Sequence, residues 1–308
     1  MKTAIILPCY NEEVAIVQVI QDFQKQLPHA TIYVIDNNSS DKTAELSHHA
    51  GAQVIFEKNK GKGNAVRRAF AEIESDIYVM ADGDGTYESS AVNKMIDHLL
   101  KDQLDMVVGI RMSQGQSAYR IGHQFGNKLF NSIVRNIFGN GFKDIFSGYR
   151  VMSRRFVKTF PAISKEFEIE TELSVHSLQL RLPTQEIETK YGARPEGSHS
   201  KLNTYTDACK ILLKIIQFTR IHRPLFFYGS FSLLLSIVSI ILGIPIIIDF
   251  LQTGLVPRLP TAVLASGLMI ISFIFLVCGL ILDAVKEAAG ENKRLKYLEH
   301  KALNIHIE

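Results

Sequence analysis

Residues 78–88, YVMADGDGTYE, place two aspartates two positions apart directly after a short apolar run. An EF-hand loop starting at Asp82 would need glycine at its sixth position and glutamate at its twelfth. Those positions hold Tyr87 and Asn93, and the preceding DIYVMA is β-branched and aromatic, as in a buried strand. The stretch is therefore predicted to be a carboxylate pair at the carboxyl end of a strand, where open α/β sheets bind ligands.

The flanking sequence alternates between strand-like runs and helical patterns. The runs are TAIIL, TIYVID, AQVIF, DIYVMA and DMVVG, and helices are predicted over residues 13–27, 41–50, 63–73 and 89–101. This alternation predicts an α/β fold with a mostly parallel sheet. Polar loops follow the first four strands, and helix capping by Asn11, Ser40 or Asp41 explains part of their composition. Neither GxGxxG nor GxxxxGK[ST] follows a strand, which argues against dinucleotide dehydrogenases and P-loop NTPases.

Composition excludes several classes of protein. The 308 residues carry a net charge of only +3, so bulk charge does not argue for a nucleic-acid partner. Three cysteines, Cys9, Cys209 and Cys278, are too far apart to suggest a disulfide framework or a zinc site. A reducing, cytosol-facing location fits this cysteine usage, and Cys9 is interpreted as a small buried residue rather than a nucleophile.

Two late stretches predict a membrane anchor. No charged residue occurs over residues 224–248 or 259–282, and each run is long enough to cross a ~30 Å hydrocarbon core. Two buried core helices would need a further domain to cover them. Basic residues flank both runs, and the short connection holds only Asp249 and Arg258, so the positive-inside rule places both flanks in the cytosol.

These features predict four segments. They are a cytosolic domain over residues 1–202, an amphipathic juxtamembrane helix over 203–223, two transmembrane helices over 224–283 and a basic cytosolic tail over 284–308. The expected location is the cytoplasmic membrane. The tail either joins protomers into a homo-oligomer or meets anionic lipid headgroups.

Seven segments occur in order before the anchor: PCYNE, VIDNNSSDKT, NKGKGNAVRRAF, ADGDG, SGYRVMSRRF, FEIETEL and ARPEGSHSKL. This combination resembles the family 2 glycosyltransferases of GT-A fold, close to the polyprenyl-phosphate glycosyltransferases, which include dolichyl-phosphate mannose synthase and bacterial undecaprenyl-phosphate sugar transferases. The resemblance implies a Rossmann-like catalytic domain. It also implies inverting transfer of one sugar from a nucleotide-sugar, a UDP-sugar before GDP-mannose, to a polyprenyl phosphate at the cytosolic leaflet.

The resemblance also implies a donor site. Asp82 and Asp84 become a DxD pair that holds Mg²⁺ or Mn²⁺ against the donor diphosphate, and Asp36 contacts the base. The chemistry agrees, because a divalent ion stabilises the charge that grows on a departing nucleoside diphosphate. The other implied donor-site residues are Pro8, Tyr10, Asn11, Glu12, Lys62, Gly63, Gly83, Arg194, Ser200 and Lys201.

The sequence leaves open whether the acceptor phosphate needs a general base. A phosphate monoester has a second pKa of about 6, so it is already an anionic nucleophile near neutral pH. Glu170, between Glu168 and Glu172 in FEIETEL, is the candidate if a base exists. Alternatively, these acids start a helix and pair with nearby arginines.

Cations are expected to hold the lipid phosphate. Residues 119–138 are periodically apolar and predict an amphipathic helix, either an interfacial helix beside a lipid groove or an ordinary helix packed on the sheet. The resemblance assigns the lipid phosphate to Arg120, Arg135, Ser147 and Arg150.

Two other functions share this fold. A processive polysaccharide synthase normally carries a QxxRW motif, which is impossible here because the chain has no tryptophan. A catalytically silent membrane scaffold would not need these site residues, so intact Asp82, Asp84, Arg194 and Lys201 argue against it.

Overall fold

The computed structural model describes residues 1–113, 142–164, 169–192, 216–217 and 219–303. The chain divides into two compact units, Met1–Thr204 with Lys293–Glu308, and Tyr205–Asn292. The first unit contains the strands β1 (Thr3–Cys9), β2 (Thr31–Asp36), β3 (Gln53–Phe56), β4 (Ile77–Met80), β5 (Met106–Ser113), β6 (Arg150–Ser153) and β7 (Thr184–Tyr191). Its helices are α1 (Ile16–Gln26), α2 (Thr43–His49), α3 (Lys62–Glu72), α4 (Ala91–Lys101), α5 (Arg154–Thr159) and α6 (Ile169–Gln179).

The strands form one sheet in the order β3-β2-β1-β4-β6-β5-β7. All neighbouring strands are parallel except β6, which runs antiparallel to both β4 and β5. The predicted α/β class with a mostly parallel sheet is confirmed. The strand order reverses between β1 and β4, and in open α/β sheets the crevice at such a switch point binds the ligand.

The core explains why these residues form these elements. Helix α1 buries Ile16, Val19, Ile20 and Phe23, the spacing of one helical face. Strand β4 is buried along its whole length, as expected for a central strand covered on both faces. The central strands and their carboxyl-end loops therefore rest on a closely packed interior.

The second unit contains two long apolar helices, α7 (Pro224–Thr253) and the larger part of α8 (Leu259–Leu298). Both are long and apolar enough to cross a membrane, and their most apolar windows are only 17% and 11% buried. Ser272 contacts the hydroxyls of Ser232 and Ser236 at 3.0 and 2.6 Å, and Ser239 donates to the Ala265 carbonyl at 2.7 Å. Small hydroxyl residues of this kind hold helices together in membranes, so the pair suggests membrane anchoring.

The segment predicted as a basic tail begins as a continuation of helix α8. The helix extends past residue 283 to Leu298, and its last turns belong to the first unit. The Tyr297 hydroxyl donates to Asp105 Oδ2 at 2.7 Å, and Arg294 donates to the Leu180 carbonyl at 3.3 Å. The charged residues after 283 are mostly good helix formers, and burial of Tyr297 fixes the helix end on the first unit.

Candidate active site

The acid pair lies where the sequence predicts it, just after β4 at the switch point of the sheet. Asp84 is 3% exposed, and its Oδ1 accepts hydrogen bonds from the Thr86 amide at 3.1 Å and the Thr86 hydroxyl at 2.6 Å. A Cβ on Gly83 would collide with the Cys9 sulfur on β1, so the residue between the two aspartates has to be glycine. Thr86 was not a predicted site residue, although it follows the acid pair directly in the sequence.

A lysine from another element joins the acid pair. The Lys62 ammonium, in the first turn of α3, contacts Asp82 Oδ1 and lies 2.5 Å from Glu170 Oε1 at the start of α6. The Lys62 and Glu170 side chains are only 9% and 5% exposed. Burial alone would lower the pKa of Lys62, but the Asp82 and Glu170 carboxylates raise that pKa above its ordinary value. Three elements thus converge on one buried ammonium that stays charged.

Glu170 therefore has a defined partner. One carboxylate oxygen is paired with Lys62, and the other, Oε2, is buried without a hydrogen-bond partner in the described part of the chain. The neighbouring Glu172 instead accepts the amides of Ile163 and Ser164 at 3.0 and 2.8 Å, which ties down a loop. Of the alternatives for this acidic segment, the geometry favours ion pairing for Glu170, with a lysine rather than an arginine.

A glycine that sequence reasoning missed lies over this cluster. A Cβ on Gly148 would sit 3.0 Å from both Asp82 Oδ1 and Lys62 Nζ. The Gly148 amide also donates a hydrogen bond to the Tyr87 hydroxyl at 2.9 Å. The signal was available in the sequence, because Gly148 is the glycine of the quoted SGYR segment.

The predicted base-contacting residue, Asp36, ends β2 and is 3% exposed. Its Oδ1 is buried with no hydrogen-bond partner among the described residues. The next residue, Asn37, was not singled out from the sequence but braces the following loop. Its side chain donates to the Asn59 carbonyl at 2.7 Å and accepts from the Gly61 amide at 2.6 Å. An unsatisfied buried acceptor on a braced loop is suited to a ligand that brings an N–H group.

The loop after β1 is attached to the loop after β2. Asn11 has a φ of 55°, and its side-chain oxygen accepts the Ser40 amide at 2.8 Å. The Glu12 amide donates to the Thr43 hydroxyl at 2.8 Å. These contacts show that Asn11 shapes the crevice through the loop rather than by capping its own helix.

Other predicted donor-site residues lie on β1, directly after it and on α3. Tyr10 accepts a hydrogen bond from Lys60 at 2.9 Å, and the ammonium lies 4.8 Å from the tyrosine ring centre. Pro8 lies in β1 opposite Ile35, and Gly63 is buried in the first turn of α3. Cys9 is buried and its thiol pKa is raised by that burial, which agrees with its interpretation as a non-nucleophilic residue.

Two residues predicted to bind the lipid phosphate are enclosed by protein. Ser147 and Arg150 are both 0% exposed, and the Ser147 hydroxyl donates to the Gly109 carbonyl at 2.5 Å. Their burial does not support direct contact with a ligand phosphate. The reason is topological, because β6 begins at Arg150 and lies between β4 and β5 in the middle of the sheet. The remaining predicted residues, Arg120, Arg135, Glu168, Arg194, Ser200 and Lys201, lie outside the described residues.

The carboxylates of this site fit a hard divalent cation whose remaining ligands come from a bound substrate. Among the described residues, no group of three His, Cys, Asp or Glu side chains could hold a metal by itself. Mg²⁺ and Mn²⁺ need only one or two carboxylates when substrate phosphates supply further oxygens. Asp82, with 29% of its side chain exposed, and Asp84 meet this need.

Comparison with known proteins gives a consistent result. Residues 4–160 match the model of Glycosyl transferase family 2. Glycosyltransferase AglJ of Haloferax volcanii is 32% identical over 298 residues, which is 96% of this chain and 97% of the relative. Dolichyl-phosphate hexose transferase of the same organism is 25% identical over 214 residues, 70% of this chain and 92% of the relative.

The fold also has solved counterparts. Glucosyl-3-phosphoglycerate synthase from Mycobacterium tuberculosis, in complex with Mn²⁺, UDP and glucosyl-3-phosphoglycerate, superposes with a TM-score of 0.57 at 21% identity. The match covers 71% of this chain and 78% of that one. A mostly parallel sheet with an acid pair at its switch point defines a GT-A-like transferase domain. The chain belongs to glycosyl transferase family 2.

Proposed function

We propose that the protein transfers one sugar from a nucleotide-sugar to a polyprenyl phosphate at the cytosolic face of a membrane, with inversion at the sugar carbon. One observation carries the proposal: the Asp82–Lys62–Glu170 cluster beside Asp84 occurs in the same chain as two helices long and apolar enough to span a bilayer. Dolichyl-phosphate hexose transferase, named for a lipid-linked acceptor, matches most of the chain at lower identity, which adds support.

The donor is proposed to be a UDP-sugar before GDP-mannose. The unpartnered Asp36 Oδ1 is suited to accept a hydrogen bond from the base of the nucleotide, and uracil and guanine both offer an N–H group. A structural neighbour was solved with Mn²⁺ and UDP-glucose, which favours uridine.

Charge explains why the donor would need a divalent cation. Asp82 and Glu170 contact the Lys62 ammonium, and Asp84 lies two residues after Asp82, so these three carboxylates and one ammonium carry a net charge of −2 when all are ionised. A diphosphate brings more negative charge, and like charges about 4 Å apart repel by roughly 4 kcal/mol at a protein surface. Asp82 and Asp84 would hold Mg²⁺ or Mn²⁺, which supplies Lewis-acid stabilisation of the leaving diphosphate. Lys62 adds a fixed positive charge at the same place.

The proposed acceptor supplies its own nucleophile. A phosphate oxygen attacks the anomeric carbon from the face opposite the diphosphate. The carbon–oxygen bond to the diphosphate breaks, and its electron pair leaves with the nucleoside diphosphate. Because the phosphate monoester is largely ionised near neutral pH, no protein base has to remove a proton. The ion pair between Glu170 and Lys62 is compatible with such a base-free reaction.

The membrane orientation is part of the proposal. Basic residues lie before α7 and near the end of α8, including Arg220, Arg223, Lys286 and Lys293, whereas the connection between the helices holds Arg258 alone. The positive-inside rule then places both ends, and with them the catalytic unit, in the cytosol.

A transfer assay tests the function and its alternatives. Membranes containing the protein are incubated with labelled nucleotide-sugars, Mn²⁺ and undecaprenyl phosphate, and are then extracted with organic solvent. Label in a lipid that mild acid hydrolyses supports the proposal. Label in insoluble polymer would instead indicate a polysaccharide synthase, and no transfer from any donor would indicate a silent scaffold.

One substitution tests the assignment of the metal site. Asp84→Ala is expected to abolish transfer while membrane insertion is retained, because the buried carboxylate that Thr86 holds in place is lost. The exposed helical Asp97→Ala is the matched control and should transfer normally. Full activity of Asp84→Ala would contradict the metal assignment.

A further inference from the structure

Arg150 is a buried cation that the proposed reaction does not use. It is 0% exposed, and among the described residues the Glu170 and Asp144 carboxylates act on it from a distance without forming an ion pair. Burial lowers the pKa of its guanidinium to about 10. The guanidinium donates at 2.8–2.9 Å to the carbonyls of Ser147, Ile145 and Glu170 and to the hydroxyl of Ser174.

Such an arrangement is costly for stability alone. A guanidinium removed from water without a carboxylate partner loses hydration that neutral acceptors replace only in part. An apolar side chain of similar volume would avoid that cost but would leave the carbonyls of Ser147, Ile145 and Glu170 without this donor. The planar fork of Arg150 is therefore the group that holds these acceptors together.

The acceptors of Arg150 belong to the two segments that enclose the Lys62 ammonium. Ile145 and Ser147 precede Gly148, whose Cα faces Asp82 and Lys62. Glu170 and Ser174 lie on the first turns of α6, and Glu170 carries the carboxylate that pairs with Lys62. One rigid guanidinium thus joins the loop before β6 to the start of α6.

We propose that Arg150 is a positioning residue that fixes Glu170 against Lys62 and thereby holds the Lys62 ammonium at Asp82. The inference rests on the proposed function, because it assigns a role within the same site. Lysine cannot replace arginine here, since a single ammonium on a flexible stem cannot reach acceptors in both segments at once. Without the hydrogen bonds from Arg150, the start of α6 would be held less firmly. The Glu170 carboxylate, and with it Lys62, could then move away from the diphosphate position.

The test compares Arg150→Lys with Arg155→Lys in the full-length protein. Arg155 is a suitable control because it pairs with buried Asp105, and a lysine there also disturbs a buried polar contact of the same unit. We expect Arg150→Lys to lower kcat by about tenfold per folded molecule, with kcat of Arg155→Lys within about twofold of the wild type. Equal kcat values for the two variants would overturn the proposal.

A double-variant cycle separates positioning from general loss of stability. If Arg150 acts through Glu170, then Arg150→Lys should change kcat by less than about twofold in a Glu170→Gln background. Additive losses would show that Arg150 supports the fold independently of Glu170. Should Arg150→Lys fail to fold, Ser174→Ala removes one acceptor and leaves the guanidinium, and its smaller loss should likewise vanish in the Glu170→Gln background.

Ligand binding distinguishes failure of this inference from failure of the proposed function. The Kd for UDP in the presence of Mn²⁺ is measured by calorimetry on the wild type and on the same variants. The positioning role would be supported, even if no lipid product forms, if Arg150→Lys binds UDP more weakly and Arg155→Lys does not. The weakening by Arg150→Lys should also be absent in the Glu170→Gln background. Unchanged UDP binding together with unchanged kcat would refute that role whichever acceptor the enzyme uses.

Discussion

His176 makes the catalytic unit sensitive to acid. The residue lies on α6, is 2% exposed, and has its ring edge-on to Phe156 and Phe160 at centroid distances of 5.4 Å. Neither ring nitrogen has a hydrogen-bond partner in the described part of the chain. Burial, with a contribution from Lys293, lowers the pKa of His176 from 6.5 to about 3. The folded protein therefore keeps this histidine neutral at pH values where the unfolded chain protonates it.

The sign and size of the effect follow from proton linkage. Between pH 6.5 and 3 the unfolded chain binds one more proton than the folded chain, so the free energy of unfolding falls as pH falls through that window. At pH 5 the loss amounts to about 2 kcal/mol relative to neutral pH. A loss of this size is a large part of the stability of an ordinary domain.

The measurement compares urea unfolding at pH 7.5 and pH 5 for the wild type, His176→Phe and His49→Phe. Tyrosine fluorescence is a suitable signal, since the chain has no tryptophan. His176→Phe should remove about 2 kcal/mol of the acid-induced loss, because phenylalanine cannot take up a proton. His49 is exposed, so its variant should keep the wild-type pH dependence. The reasoning is refuted if the wild type and His176→Phe lose the same free energy between the two pH values.

Two further substitutions test contacts described above. Gly148→Ala would place a Cβ 3.0 Å from Asp82 and is expected to lower kcat/KM roughly tenfold, whereas Gly290→Ala, with open space around it, should leave turnover unchanged. Tyr297→Phe removes the 2.7 Å hydrogen bond to Asp105 and should reduce the unfolding free energy by about 1.5 kcal/mol in a urea titration; an unchanged midpoint would show that the end of α8 does not stabilise the catalytic unit.

The local sequence pattern correctly predicted the first four helices and the strand end that carries the acid pair. The expected helices over 13–27, 41–50, 63–73 and 89–101 correspond to α1 to α4, shifted by three residues or fewer at each end. The acid pair was placed correctly, because a buried apolar strand followed by Asp82 and glycines fixes which end of the sheet it occupies. Short periodic segments and strand-end loops carry this information within a few residues.

Contacts between residues that are far apart in the sequence could not be predicted from local pattern. Nothing in the spacing of Lys62 and Glu170 indicates that they meet, since the contact requires β6 to enter between β4 and β5 and α6 to follow it. The same insertion buries Arg150, which the sequence suggested as a ligand contact because arginine suits phosphate. Arg150 is the first residue of a four-residue strand, and the sequence around it does not show whether such an arginine is buried and structural or exposed and able to bind an anion.

The role of Glu170 follows from how it is held. A general base needs a carboxylate that can approach the acceptor and exchange its proton. Glu170 is 4% exposed, its carboxylate contacts the charged Lys62, and its own carbonyl accepts a hydrogen bond from Arg150. These constraints favour a Glu170 that keeps Lys62 beside Asp82, and an acceptor whose phosphate is already ionised can react without any base.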